Sequence, residues 1–184
     1  MIRFLNLLTI FLLCGYSISQ AQYKQVITNQ TVLLNNQRNI LPFKRLDERR
    51  IAVISADSVK YGRFIQQLQR YGEVKSFGFD QYDEHTKYYN TIIVAGTEEE
   101  FRPGQLAMVI QSAVNRKDVI LCKFGKDINY INIGLSAANL GRFASILTAP
   151  SLEEEAQENA AMSIFGGLGI TAGTIATALP VAAS

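Results

Sequence analysis

A five-residue apolar run, Ile51-Ala52-Val53-Ile54-Ser55, is fenced by Arg49-Arg50 on one side and Ala56-Asp57 on the other. It has no polar alternation, so it reads as a strand buried on both faces, the kind that opens a parallel sheet. Such a strand must be covered above and below, and the rest of the chain is expected to supply those layers. Thr91 to Ala95 repeats the pattern with β-branched Ile92-Ile93-Val94 and stops at Gly96. Val119 to Phe124 gives a further strand, Val74 to Phe79 a weakly alternating one, and Phe143 to Thr148 a fifth.

Helical spacing fills the gaps. Tyr61, Phe64, Ile65, Leu68 and Tyr71 predict a helix within Val59 to Tyr71, with Gly72 at the C-cap position. Leu106, Val109, Ile110, Ala113 and Val114 predict one from Pro103 to Asn115. Pro150 and Ser151 start a third through Phe165, with Glu153, Glu154 and Glu155 in a first turn where the helix dipole favours negative charge. Asp80 to Asn90 is polar and tyrosine-rich, a surface helix or loop, and a short helix is expected around Ile128 to Ile133. The fold class is α/β: a three-layer α/β/α sandwich with a mostly parallel sheet of about five strands.

Before the sandwich, Met1-Ile2-Arg3 and the apolar stretch Phe4 to Leu13 make a secretory signal, with Ser19 and Ala21 at the small cleavage positions. Residues 1–21 are expected to be removed and the chain exported to the periplasm or outside the cell. A lipoprotein anchor at Cys14 is disfavoured by the bulky Leu13. Residues 22–50 form a helix, Gln22 to Asn36, and a linker in which Pro42 ends any helical run. Residues 51–167 are the sandwich and 168–184 a small-residue tail. From Asn159 to the C-terminus there is no charged residue. Its glycines and threonines argue against a membrane span and for a loop or edge strand.

Loss of Arg3 leaves 17 basic and 16 acidic residues, which argues against a nucleic-acid partner. Cys122 alone survives processing, so no internal disulfide forms, and it is expected to be a small buried hydrophobe. No G-x-G-x-x-G or P-loop follows Ile51 to Ser55, so no nucleotide cofactor is expected. One histidine, His85, and one distant cysteine supply no metal ligand set. Gly134-Leu135-Ser136-Ala137-Ala138 lacks the last glycine of a nucleophile elbow, and His85 sits in a polar loop.

Thr31-Val32-Leu33-Leu34-Asn35-Asn36 is followed by Asn39-Ile40-Leu41-Pro42-Phe43, then by the strand Ile51-Ala52-Val53-Ile54. Near the far end stand Ala156-Gln157-Glu158-Asn159-Ala160-Ala161 and Ile164-Phe165-Gly166-Gly167. This ordered set resembles the C-terminal sandwich domain of glycoside hydrolase family 3, most closely its β-N-acetylglucosaminidase branch. The resemblance implies a separate (β/α)8 barrel carrying the nucleophilic aspartate and a His-Asp acid/base pair. The signal leads almost directly into the sandwich, so no barrel residue is carried over and no catalytic residue is assigned.

The carboxylates best placed for a ligand are Glu98, Glu99 and Glu100, after the strand at Thr91 to Ala95, because open parallel sheets bind ligands at the carboxyl ends of their strands. Three adjacent glutamates are more often a solvated helix start ahead of Pro103. Tyr82, with Tyr88 and Tyr89, could stack on sugar rings or pack at the sheet edge. The function expected is an exported, non-catalytic module for a glycan or a partner protein. A barrel-domain protein is one such partner, and self-association through an apolar docking face is another. The alternative is a piece of a β-N-acetylglucosaminidase whose barrel lies on another polypeptide.

Overall fold

A computed structural model of the 184-residue chain describes residues 30–101, 103–115, 117–126 and 135–172. The segment expected to be a signal, the first residues of the helix expected from Gln22, the helix expected around Ile128 to Ile133 and the tail beyond Ala172 lie outside them.

The strands are β1 (Val32–Asn36), β2 (Ile51–Ser55), β3 (Val74–Gly78), β4 (Thr91–Gly96), β5 (Asp118–Phe124), β6 (Ser145–Ala149) and β7 (Thr171–Ala172). They form one sheet in the order β3-β2-β4-β5-β6-β1-β7. The five expected strands are β2 to β6, all parallel to one another. The helices are α1 (Gly62–Gln69), α2 (Tyr82–His85), α3 (Pro103–Val114), α4 (Ala137–Leu140) and α5 (Glu154–Phe165).

The two-residue period of the strands sorts their side chains into two cores. Val53, Ile93, Ile120, Cys122 and Phe124 face one side with Phe64 and Leu68 of α1 and Ala160, Ala161 and Ile164 of α5. Ile54, Ile92, Val94, Val119 and Leu121 face the other with Leu106 and Val109 of α3 and Leu140 of α4. Both faces are covered, which is why the strands read as unbroken apolar runs. The fold is a mixed α/β sandwich.

Three expectations are corrected. Asn36 does not end a helix: Val32 to Asn36 is a strand, antiparallel to β6, with a bulge between Leu33 and Asn35. Leu33 leans on one core and Leu34 on the other, as a strand with both faces covered requires, and the three-residue run Val32-Leu33-Leu34 is too short to separate a helical period from a strand one. Two strands therefore join the expected five, since the edge-strand reading of the tail holds for Thr171–Ala172, paired parallel to β1. Gly72 does not cap α1, because Arg70 after the helix keeps right-handed angles and the glycines with positive φ among the described residues are Gly125 and Gly166.

The separated sequence pieces meet in space. Phe43 donates its amide to Ile164 O (2.9 Å) and its ring meets Phe165 edge-on at 5.6 Å. Gly166 closes α5 in the left-handed region (φ 82°), where a Cβ would stand 3.0 Å from Pro42 Cβ. Asn36 brackets the clasp, its side chain giving to Leu41 O (2.9 Å) and taking from Leu41 N (3.0 Å). At the outer edge Thr171 Oγ1 hydrogen-bonds Gln30 Oε1 at 2.7 Å.

Cys122 is fully buried and burial pushes its thiol up. It is expected to ignore a thiol reagent in the native protein and to react fully in denaturant; fast labelling of the native chain would contradict this packing.

Among the described residues no helix is long and apolar enough to cross a membrane. The exposed large apolar side chains among them are Leu46, Val59, Tyr88 and Leu168, on four separate segments.

Candidate functional site

The chain leaves β2 for β3 on one side and returns to β4 on the other, so the sheet reverses its order between β2 and β4. A crevice at that point is the ordinary ligand position of an open α/β sheet. Two loops build it. Asp57 opens the first, its Oδ1 accepting the amides of Val59 (2.8 Å) and Lys60 (3.2 Å), which turns the chain into α1. The second begins at Gly96, where the ring of Phe101 folds so close that a Cβ would meet it at 2.6 Å.

Glu100 ties the two loops together. Its Oε1 accepts from Lys60 Nζ at 2.6 Å, and its Oε2 accepts from the Tyr61 hydroxyl and from Thr97 N at 3.0 Å. Burial pushes the Glu100 carboxyl up, but the bonds from Lys60, Tyr61 and Thr97 outweigh it and hold the group below the usual carboxylate range. The Tyr61 phenol is raised, first by burial and then by the carboxylate beside it. Glu98 pairs with Lys123 Nζ at 3.5 Å, and Lys123 is 1% exposed at the end of β5. Glu99 is exposed.

Of the four expected ligand residues, Glu98 and Glu100 thus share the crevice and Glu99 stands in solvent. Tyr82 is elsewhere. It is 2% exposed in the α3-side core, and burial pushes its phenol up to about 12, so neither its ring nor its hydroxyl faces a sugar. Lys60, Tyr61 and Lys123 escaped sequence reasoning. A lysine inside the apolar run Val119 to Phe124 was the available signal, since a strand covered on both faces admits a charge only where it meets a partner.

A polar cleft of about 250 Å³ lies beside the crevice, where β5 and β6 end, lined by Lys126, Ser151, Glu153, Glu155 and Asn159 among others. Glu153 precedes α5, and Glu154 and Glu155 occupy its first turn as helix-start residues. His85 belongs to α2, not to an open loop, and its half-buried ring stacks on Phe77 at 4.6 Å. Ser136 precedes α4, its Oγ accepting from Asn139 N at 3.3 Å. Among the described residues no group of three or more His, Cys, Asp or Glu could hold a metal ion.

No protein-family model and no curated protein sequence matches this chain. Solved structures do. A fungal multi-domain family 3 β-N-acetylglucosaminidase superposes with a TM-score of 0.63 at 15% identity, covering 87% of this chain and 20% of that one. A family 3 β-N-acetylglucosaminidase from Paenibacillus sp. gives 0.58 at 14% identity, over 83% of this chain and 32% of that one. A β-glucosidase from Listeria innocua, solved with glucose, gives 0.54 at 15% identity, over 81% and 25%. The chain spans between a fifth and a third of the length of these enzymes, and what it shares with them is a fold.

Proposed function

We propose that this chain is an exported, non-catalytic sandwich module of the family 3 C-terminal type, which holds a carbohydrate or a partner protein at the rim where its parallel strands end. The observation that carries this reading is the state of the crevice carboxylates. A retaining glycosidase needs a protonated acid and a free carboxylate about 5 to 5.5 Å apart. Glu100 is held ionised by three donors and so is unsuited to be the acid, and Glu98 is paired with a buried lysine. The neighbouring cleft offers charged and amide groups of the kind that hydrogen-bond sugar hydroxyls.

The chain is expected to release no phenolate from an aryl N-acetylglucosaminide over hours at any pH between 4 and 9. Turnover that disappears in Glu98→Gln would overturn the reading. A second reading, a subunit of a β-N-acetylglucosaminidase, is favoured by the likeness to part of much longer family 3 enzymes. It requires that activity rise at least tenfold when the chain is mixed with a separate barrel protein, and that Val59→Asp, at an 87% exposed position on the crevice loop, abolish the gain.

A further inference from the structure

The opposite rim, where the parallel strands begin, is chemically different. Two overlapping clefts there, of about 250 and 290 Å³, share Arg38, Lys44, Arg45, Arg49 and Asp118. Together they form one groove in which four cations face two carboxylates, Asp118 and Glu48.

The groove has a fixed floor. The Arg49 side chain is 16% exposed, donates from Nε to Lys44 O (3.2 Å) and from Nη1 to Thr91 Oγ1 (3.0 Å) and Asp118 Oδ2 (3.1 Å), and lies 4.4 Å over the Phe43 ring. A guanidinium locked in this way gives up little rotamer freedom when an anion arrives. Asp118 also accepts from Arg38 Nη2 at 3.0 Å, so one carboxylate orients two guanidinium groups toward a common space. Both exposed arginines of the walls, Arg38 (φ 56°) and Arg45 (φ 51°), have left-handed backbone, which side chains other than glycine adopt at a cost. Such outliers point toward function when the surrounding structure holds them. Lys44 is exposed and has no carboxylate within ion-pair distance among the described residues.

We propose that this groove binds a doubly charged oxyanion, the phosphate group of a small monoester, between Lys44, Arg38 and Arg45 above the Arg49 floor. Two excess positive charges match one such dianion, and guanidinium forks suit its oxygens. The space accommodates the anion with about one sugar ring and no more. A confined groove on a chain of near-zero net charge fits a small anion better than a polyanionic duplex or a membrane surface, which need extended basic faces. The proposal is independent of the role assigned to the other rim.

The test is calorimetric titration of the full chain at low ionic strength with inorganic phosphate, inorganic sulfate and N-acetylglucosamine 6-phosphate. One saturable site is expected, competed by all three, and tighter binding of the sugar ester than of free phosphate would assign the source. Lys44→Gln and Arg45→Asn should each weaken phosphate about tenfold, a loss of one charged contact, with unchanged melting temperature. Asparagine tolerates the left-handed backbone at position 45. Glucose should not compete. Absence of saturable phosphate binding, equal affinity in the wild type and both variants, or binding seen only with a DNA duplex or anionic vesicles would overturn the proposal.

Discussion

Gln157→Leu is expected to destabilise the fold by about 3 kcal/mol and to lower its melting temperature by roughly 8 °C. Gln157 is 4% exposed on α5 and serves three backbone groups at once. Its Oε1 accepts from Phe64 N (3.1 Å), one of the amides that the first turn of α1 leaves without a partner. Its Nε2 donates to Lys60 O (3.1 Å) and Leu152 O (2.8 Å). Leucine has the bulk but none of the polar atoms, so a buried donor and two acceptors lose their partner together. Each such group costs about 1 to 3 kcal/mol when it is left dry. Thermal unfolding followed by circular dichroism measures the loss; a shift below 2 °C would mean that water replaces the side chain.

Replacing Glu100 by alanine is expected to cost about 2 kcal/mol near neutral pH, because it unmakes one ion pair and leaves the Tyr61 hydroxyl and Thr97 amide unserved. The pH dependence carries a definite sign. A carboxyl whose folded value is depressed stabilises the native state fully above its unfolded value, about 4.3, and loses that contribution as pH falls through the folded value. The wild-type chain should therefore weaken on acidification below about pH 5, and Glu100→Gln should show a shallower acid limb while being less stable at pH 7. Parallel acid limbs in urea titrations at pH 3, 4, 5 and 7 would refute the role of this group.

These two residues mark where sequence reasoning stops. β2, β4 and β5 were legible because burial on both faces leaves a local signature, a short β-branched run between polar fences. The Ala156-Gln157 and Ala160-Ala161 pattern was visible as a motif, yet its meaning depends on α1, almost a hundred positions upstream in the chain. There the two buried alanines sit in one core with α1, and the glutamine reaches that helix's unpaired amide. Topology alone puts Glu98 and Glu100 on the loop that follows β4. What partners them, Lys60, Tyr61 and Lys123, comes from other loops and strands, and no local spacing reveals such partners. Tyr82 failed for a related reason. A tyrosine-rich polar stretch gives no hint of which ring turns inward, and that is decided by the α3-side core it closes.

The antiparallel setting of β1 has a consequence for anything joined ahead of it. Val32, the first residue of β1, stands opposite Thr148, next to the last residue of β6, so the backbone arrives on the same side as Glu98 and Glu100. Four strand spacings, about 19 Å, separate that arrival point from β2. A domain or ligand-bearing segment tethered upstream by a short flexible leash would hover over the crevice at millimolar local concentration, and weak affinity there would suffice for steady occupancy.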